Sequence, residues 1–309
     1  TFSAGHGLSN PKIVDQRCSS ALDNLIELER WGFNFQRNET GSPHVSESIG
    51  HSSPRLCSAG DSTGREIVRI LEEQCMKRGI PRKYDLHTLS LSVESQRVRG
   101  VVVLDVQTGV ITSIQAKSII LATQDHSGLW NEEGGNGLGA SLALSAGAKL
   151  QGMEFVSWHP LCVPTSNYRL PITLLSVGAR IRKSNGDDVE LSGTMTEAAI
   201  SLMDGDHVLD ARNVPASQRD WFTTTANILS SRFGIDLWKD VTPIESQPDF
   251  AIGGVAVDDK GRALLSSDLW LTGLYAAGGS ANSGMHGADV IPGNRILDDL
   301  IGGSNAGHS

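Results

Sequence analysis

Apolar and polar positions along this chain switch between helical and strand period. From Asn10 the residues Ile13, Val14, Ala21, Leu22, Leu25, Ile26 and Leu28 recur at roughly helical spacing as far as Gly32. Asn10-Pro11 supplies a capping side chain and a first-turn proline. A glycine- and serine-rich loop, 41–62, follows, and a second helix is predicted from Thr63 to Arg78, stopped by Gly79 and capped by Asp61, Ser62 and Thr63. The period then falls to two. YDLHTLSLSVE, RVRGVVVLDV and GVITSIQA read as strands, the last two joined by a turn at Gln107-Thr108-Gly109. SIILAT, 118–123, is a continuous apolar run of the kind that suits a strand buried on both faces of a parallel sheet. A small helix is predicted from about Gly137.

The middle of the chain differs. Residues 157–248 carry large polar loops and three of the six tryptophans, with no comparable apolar strand. Sheet-like sequence returns at DFAIGGVAVDDKGRAL, where Asp259-Lys260-Gly261 makes a tight turn. The expected fold class is α/β: one domain split in sequence into 1–156 and 249–309, with an inserted α+β domain at 157–248.

GLYAAGGSANSGMHGADVIPGNRIL, 273–297, concentrates glycine between apolar runs. Glycine loses more conformational freedom on folding than any other residue, so such a stretch implies a backbone pressed against something bulky. A bound ligand, or a turn that packs helix on strand, would each explain it.

Composition narrows the function. The chain of 309 residues is 39% apolar, with net charge −9 and a pI near 5.4. That argues against nucleic-acid binding, which draws its affinity from basic phosphate contacts. No run of about 18 apolar residues is present to span a membrane. The four cysteines form no CxxC pair and are expected to be reduced and mostly buried. The histidines show neither HxH nor HExxH spacing, so no metal site is expected.

Three strings occur in order: AGAKLQGMEFVSWHP from Ala146, GGVAVDDKGR, and GLYAAGGSANSGMHGAD…GN. With them the whole chain resembles the flavoprotein family of succinate dehydrogenase, fumarate reductase and L-aspartate oxidase; GHSSPRLCSAGDSTG looks closest to the last. The resemblance implies an FAD-binding Rossmann-like domain, with 157–248 as its capping domain. It implies that the glycine stretch lies along FAD, where small residues admit the cofactor. The positions carried over are Gly278, Gly279, Ser280, His286, Gly287, Asn294 and Ile296, with Ala122, Thr123 and Gly137 beside them. They are expected to line one cleft.

Departures from the family pattern bear on activity. No GxGxxG opens this chain; the family places it upstream of the part that matches here, so either an upstream segment supplies it or FAD is held otherwise. ILATQDHSG stands for the family's Ala-Thr-Gly-Gly, and Gly279 for the acid of its Gly-Glu. His159 matches one family histidine. Another falls on Asp249, and two family arginines fall on Val290 and near Leu175. Arg180, Arg182 and Arg295 are the candidates to replace them, since arginine binds carboxylate bidentately. An anion at Asp249 would repel a dicarboxylate by roughly 4 kcal/mol at ~4 Å.

Two functions follow as expectations. One is an FAD-dependent oxidoreductase with an altered substrate site, using His159, Asp249, Arg180 and Arg295 for hydride transfer at flavin N5. The other is a catalytically silent homologue serving as a structural or interaction subunit of a larger complex. The partners expected are a small-molecule substrate or an electron carrier. The expected location is a reducing compartment, cytoplasm or mitochondrial matrix, with any membrane attachment made through a partner.

Overall fold

Asn10 opens the first helix, α1 (Pro11–Ser19), and its side chain accepts from the backbone amides of Lys12 and Ile13. The computed structural model describes residues 1–38, 40–266 and 269–309. The helical period expected to run unbroken to Gly32 is interrupted at Ser20, and α2 (Ala21–Arg30) starts afresh. The Ser19 hydroxyl donates to the carbonyls of Asp15 and Gln16, competing with the helix at that point. Helix α3 (Thr63–Lys77) ends where expected, with Gly79 at a φ of +62°. Its expected cap is corrected: Ser62 makes no side-chain cap bond, and Asp61 accepts instead from the amide of Thr225, 164 residues away. Leu28, Phe33, Phe35, Ile67 and Ile70 bury the inner faces of α2 and α3 together.

Strands β1 (Leu86–Glu94), β2 (Arg97–Asp105) and β3 (Ile111–Gln115) form an antiparallel meander. Strand β4 (Ile119–Leu121), then α4 (Leu138–Ser145) and β5 (Leu150–Gln151) follow. The SIILAT run is shorter and less buried than expected. Ile120 is 44% exposed, because among the described residues β4 pairs with a single neighbour and forms a sheet edge.

The middle contains β6 (Val156–Cys162), α5 (Thr173–Ser176), β7 (Arg180–Lys183), β8 (Asp188–Val189), α6 (Met195–Ser201) and β9 (His207–Asp210). Helices α7 (Ala216–Arg219) and α8 (Thr223–Ile228) lead to β10 (Val241–Ala251). The expectation of no comparable strand here is corrected, since a five-stranded sheet runs β6-β10-β9-β7-β8 and β10 is its longest member. Strand β10 opens by alternating exposed and buried positions (Thr242 and Ile244 in, Val241 and Pro243 out), so no apolar run announces it. Leu161, Leu170, Leu174, Ile181, Leu209, Phe222 and Leu229 form the core beside this sheet. At the N-terminus of α6 the Thr194 hydroxyl and the Glu197 carboxylate make a reciprocal capping box.

The chain then returns as β11 (Gly254–Ala256), β12 (Arg262–Leu264), β13 (Trp270–Ala276), β14 (Ala281–Asn282) and α9 (Asn294–His308). Strand β13 runs parallel to β4, pairing Leu274 with Ile119 and Ala276 with Leu121, and antiparallel to β12. Val98, Leu121, Leu142, Val255, Leu271 and Leu274 form a separate core there. All four cysteines are free, but only Cys162 is buried; Cys18 is exposed on α1, correcting the expectation of burial. Among the described residues no helix is long and apolar enough to cross a membrane.

One ion pair ties α1 to α9. Arg17 is 1% exposed and its Nε donates to Asp298 at 2.9 Å. Removing one partner of a buried pair strands the other charge in the interior. Arg17→Ala should cost about 3–5 kcal/mol in urea unfolding, several times the effect of Lys12→Ala, whose pair with Asp259 is solvent-exposed.

Candidate functional site

The carboxyl ends of β4 and β13 lie side by side, and the Ala277 amide donates to the Leu121 carbonyl across them. In open α/β sheets, ligands bind beyond such ends. Seven of the residues singled out from the sequence gather here. The Ser280 hydroxyl accepts from the Thr123 amide at 2.7 Å and lies against the Gln124 carbonyl at 3.1 Å. The Gly137 amide donates to the Asp125 carbonyl. Gly279 packs against the Asp125 amide and the Arg295 guanidinium, where a Cβ would stand 3.0 Å from each. Gly278, at a φ of +63°, is less crowded: a Cβ would make ordinary contact with the Asp299 carboxylate, at 3.7 Å. Ala122 is exposed beside it.

His286, Gly287 and Asn294 each have partners within the protein. A Cβ on Gly287 would come within 2.4 Å of the Gly5 carbonyl oxygen, and the Asn294 amide group donates to Thr1. His286 lies 3.4 Å from Asp298, and Ile296 packs among the apolar residues of α2 and α3. Much of what the glycine stretch presses against is the protein's own N-terminal segment and the 124–125 turn.

The charges around Gly278 are unequal. Arg295 is held by Asp125 at 3.0 Å and lies 4.0 Å over the Phe250 ring. Burial pushes Asp298 up, but His286, Ser283 and Arg17 overcome it and leave its carboxyl at about 2. Asp299 has the reverse balance: burial, only partly offset by Arg295, pushes it up to about 6.

A second cluster sits where β6 and β10 pair. His159 is buried, and its Nδ1 accepts from the Leu161 amide. Burial lowers it to about 4; Asp249 pulls the other way and Arg169 assists, so the imidazole is neutral at pH 7. Asp249 is not a bare anion, as the sequence suggested. Its carboxylate lies 2.6 Å from Arg169 Nε, and its carbonyl accepts from the Trp130 indole. Arg169 also donates to the carbonyls of Asn167 and Pro248. The nearby Cys162 thiol, pushed up to about 12 chiefly by burial, is inert.

A cavity of roughly 1220 Å³ opens between the 44–53 loop, residues 3–6 and the β7–α6 region. Arg180 and Leu175 line it. So do Ser48 and His51, whose Oγ and Nδ1 are buried without a partner among the described residues. His51 Nε2 reaches the Pro292 carbonyl at 2.9 Å, which leaves Nδ1 as an acceptor. Of the three arginines considered as replacements, Arg182 is held by Asp188 and Asp210, and Arg295 by Asp125.

Residues 1–296 match a protein-family model described as FAD binding domain. The chain belongs to that family. L-aspartate oxidase of Agrobacterium fabrum is 32% identical over 336 residues, covering 99% of this chain and 61% of that protein. The succinate dehydrogenase flavoprotein subunit of Rickettsia felis is 24% identical, covering 99% of this chain and 58% of its own length. A variant of E. coli quinol fumarate reductase shares the fold, with a TM-score of 0.87 at 22% identity, over 99% of this chain and 58% of that one. The chain thus spans about three-fifths of the length of these relatives.

The residues at the ends of β4 and β13 fit the cofactor of this FAD-binding family. Gly278 and Ala122 leave a free approach to the backbone, which a larger side chain at 278 would fill. Sequence reasoning missed Arg169 and Asp299. The first had a local signal: Pro164-Thr165-Ser166-Asn167 is turn-forming, and the chain folds back so that Arg169 bridges to Cys162. Asp299 had none, being one of two adjacent acids on an amphipathic helix.

The raised Asp299 predicts a pH dependence. An acid more easily protonated when folded loses stability as pH rises from about 4, its unfolded range, through about 6. Asp299→Asn should therefore raise the melting temperature at pH 8, recovering up to ~3 kcal/mol, and leave it nearly unchanged at pH 4. Thermal unfolding of both proteins at the two pH values checks this.

Proposed function

We propose that the protein is an FAD-dependent oxidoreductase whose substrate site departs from that of succinate- and fumarate-converting relatives. When bound, the flavin supplies hydride transfer at N5. Ala122, Thr123 and Gly278 would hold it, with Gly137, Gly279 and Ser280 fixing the turns behind them. Separate cores support reading 157–248 as a capping unit on a split domain made of 1–156 and 249–309.

The observation that carries the altered site is the Arg169–Asp249 ion pair beside a neutral His159. Asp249 satisfies the guanidinium that would otherwise receive a substrate carboxylate. The guanidinium in turn cancels most of the repulsion that a lone Asp249 would exert. A substrate meeting this end of the site is uncharged there, with the imidazole offering a neutral polar contact. Val290 is buried and carries no charge. Arg180 is exposed at the cavity, and no carboxylate among the described residues pairs with it. It is the one replacement candidate left to hold an anionic group, so a substrate carries at most one carboxylate.

A second reading, a catalytically silent homologue acting as a subunit of a larger complex, is favoured by a different observation. The approaches at Gly279 and Gly287 are filled by the protein's own backbone. The visible absorption spectrum separates the two, because a flavoprotein is yellow and a silent homologue without cofactor is not.

Gly278→Val should abolish bound flavin; because a β-branched residue is strained at φ +63°, its folding is checked by far-UV circular dichroism and its melting temperature before the spectrum is read. Retained colour would place the cofactor elsewhere. Fumarate reduction by reduced dye, succinate oxidation by oxidised dye and peroxide release from L-aspartate should all be undetectable with flavin supplied. Turnover on the order of one per second, abolished by Arg180→Ala, would show that this arginine has taken over dicarboxylate binding.

A further inference from the structure

Two carboxylates cross the boundary between the split domain and the 157–248 unit. Asp61, in the turn before α3, accepts from the Thr225 amide in the first turn of α8 at 2.7 Å. Asp289, 4% exposed in the glycine stretch, accepts from the Thr196 amide in the first turn of α6 at 3.0 Å. Each acid belongs to the split domain and each amide to the inserted unit. Packing reinforces the first contact, since Trp221 lies against the cores of both units. A Cβ on Gly60 would come within 2.0 Å of the Trp221 carbonyl oxygen, so the two backbones touch there. The Gln36 side chain also donates to Gln218 across the boundary. The chain itself crosses on β6 and β10, which pair Val156 with Ala251 but lose regular register between Pro248 and Ala251. Such an irregularity bends the strand that carries it. The cavity of roughly 1220 Å³ lies between the same two units, with Glu47 and Ser48 on one wall and Arg180 and Thr194 on the other.

We infer that Asp61 and Asp289 form a two-point latch that holds the inserted unit against the split domain, with the β6–β10 ribbon as its hinge. This rests on reading 157–248 as a capping unit and not on any bound cofactor. A carboxylate that accepts a backbone amide makes a charge-assisted hydrogen bond, stronger than a neutral one. Thr196 follows Thr194 of the cavity wall by two residues, so the Asp289 contact sets where that wall stands. Leu202 at the end of α6 shares one core with Phe222 and Leu229, which flank α8. The two helices therefore move together, and parting the units breaks both contacts at once. The latch sets how far the cavity opens to a ligand.

The test is amide hydrogen exchange, read by mass spectrometry, for the natural protein, Asp61→Ala, Asp289→Ala and the two corresponding asparagine variants. Loss of a hydrogen bond to a charged group should raise the open population about tenfold or more in either alanine variant. Exchange should quicken by that factor at both contacts, whichever acid is removed: at α6 in Asp61→Ala and at α8 in Asp289→Ala. Asparagine keeps an acceptor and should restore part of the protection. Exchange in the β1–β2–β3 meander of the split domain should stay as in the natural protein. Far-UV circular dichroism and a cooperative melt show which variants are folded. If an alanine variant does not fold, its asparagine counterpart carries the same comparison with a smaller shift. Quickening confined to the helix beside the removed acid, or none at all, overturns the latch and leaves the capping reading standing. Equal quickening in the meander makes the two units one cooperative body and overturns both.

Discussion

A guanidinium shut away from water must be met by an anion, and in this protein that requirement falls on Arg17 and Asp298. The pair spans 281 residues of sequence. Asp298 also takes the Ser283 hydroxyl and faces His286, so one carboxylate binds the first helix, the last helix and the glycine stretch between them. Ile13, Val14, Met285 and Leu297 close an apolar shell around the network. With α9 held this way, Arg295 and Asp299 are set against the ends of the parallel strands.

The glycine stretch then serves two purposes. Gly287 admits the backbone of Gly5, and Gly279 admits the turn at Asp125; both are close approaches within the protein. Gly278 meets only the Asp299 carboxylate, at ordinary contact distance. That acid is one that the fold pays for in stability above its raised pKa.

The same economy of charge shapes the other cluster. His159 is neutral through burial, and Arg169 and Asp249 neutralise each other beside it. Trp130 on Asp249 and Arg295 over Phe250 join this end of β10 to the loops and helix at the strand ends. The cluster at His159 and the region around Gly278 are thus mechanically continuous, although they sit on different sheets. Membership of the FAD binding domain family accounts for the shared scaffold. The pairing of Arg169 with Asp249 is what sets the proposed chemistry of this chain apart.

What the sequence determined alone was local or family-wide. The cap at Asn10, the stop at Gly79, the meander from Leu86 to Gln115 and the helix start at Gly137 follow from short-range sterics and hydrogen bonding, which neighbouring residues encode. The ordered strings from Ala146 onward carried the family and its flavin. The tertiary structure alone decided which charges meet. Asp249 looked like a lone anion until the 163–170 return brought Arg169 to it, and Arg295 looked free until Asp125, 170 residues away, took it. It also decided that the alternating strands of 156–251 form a sheet and that β4 is an edge. The reason is common to all of these. Propensity acts over a few residues, whereas a charge's partner and a strand's neighbour depend on which distant segments the fold places within a few ångströms.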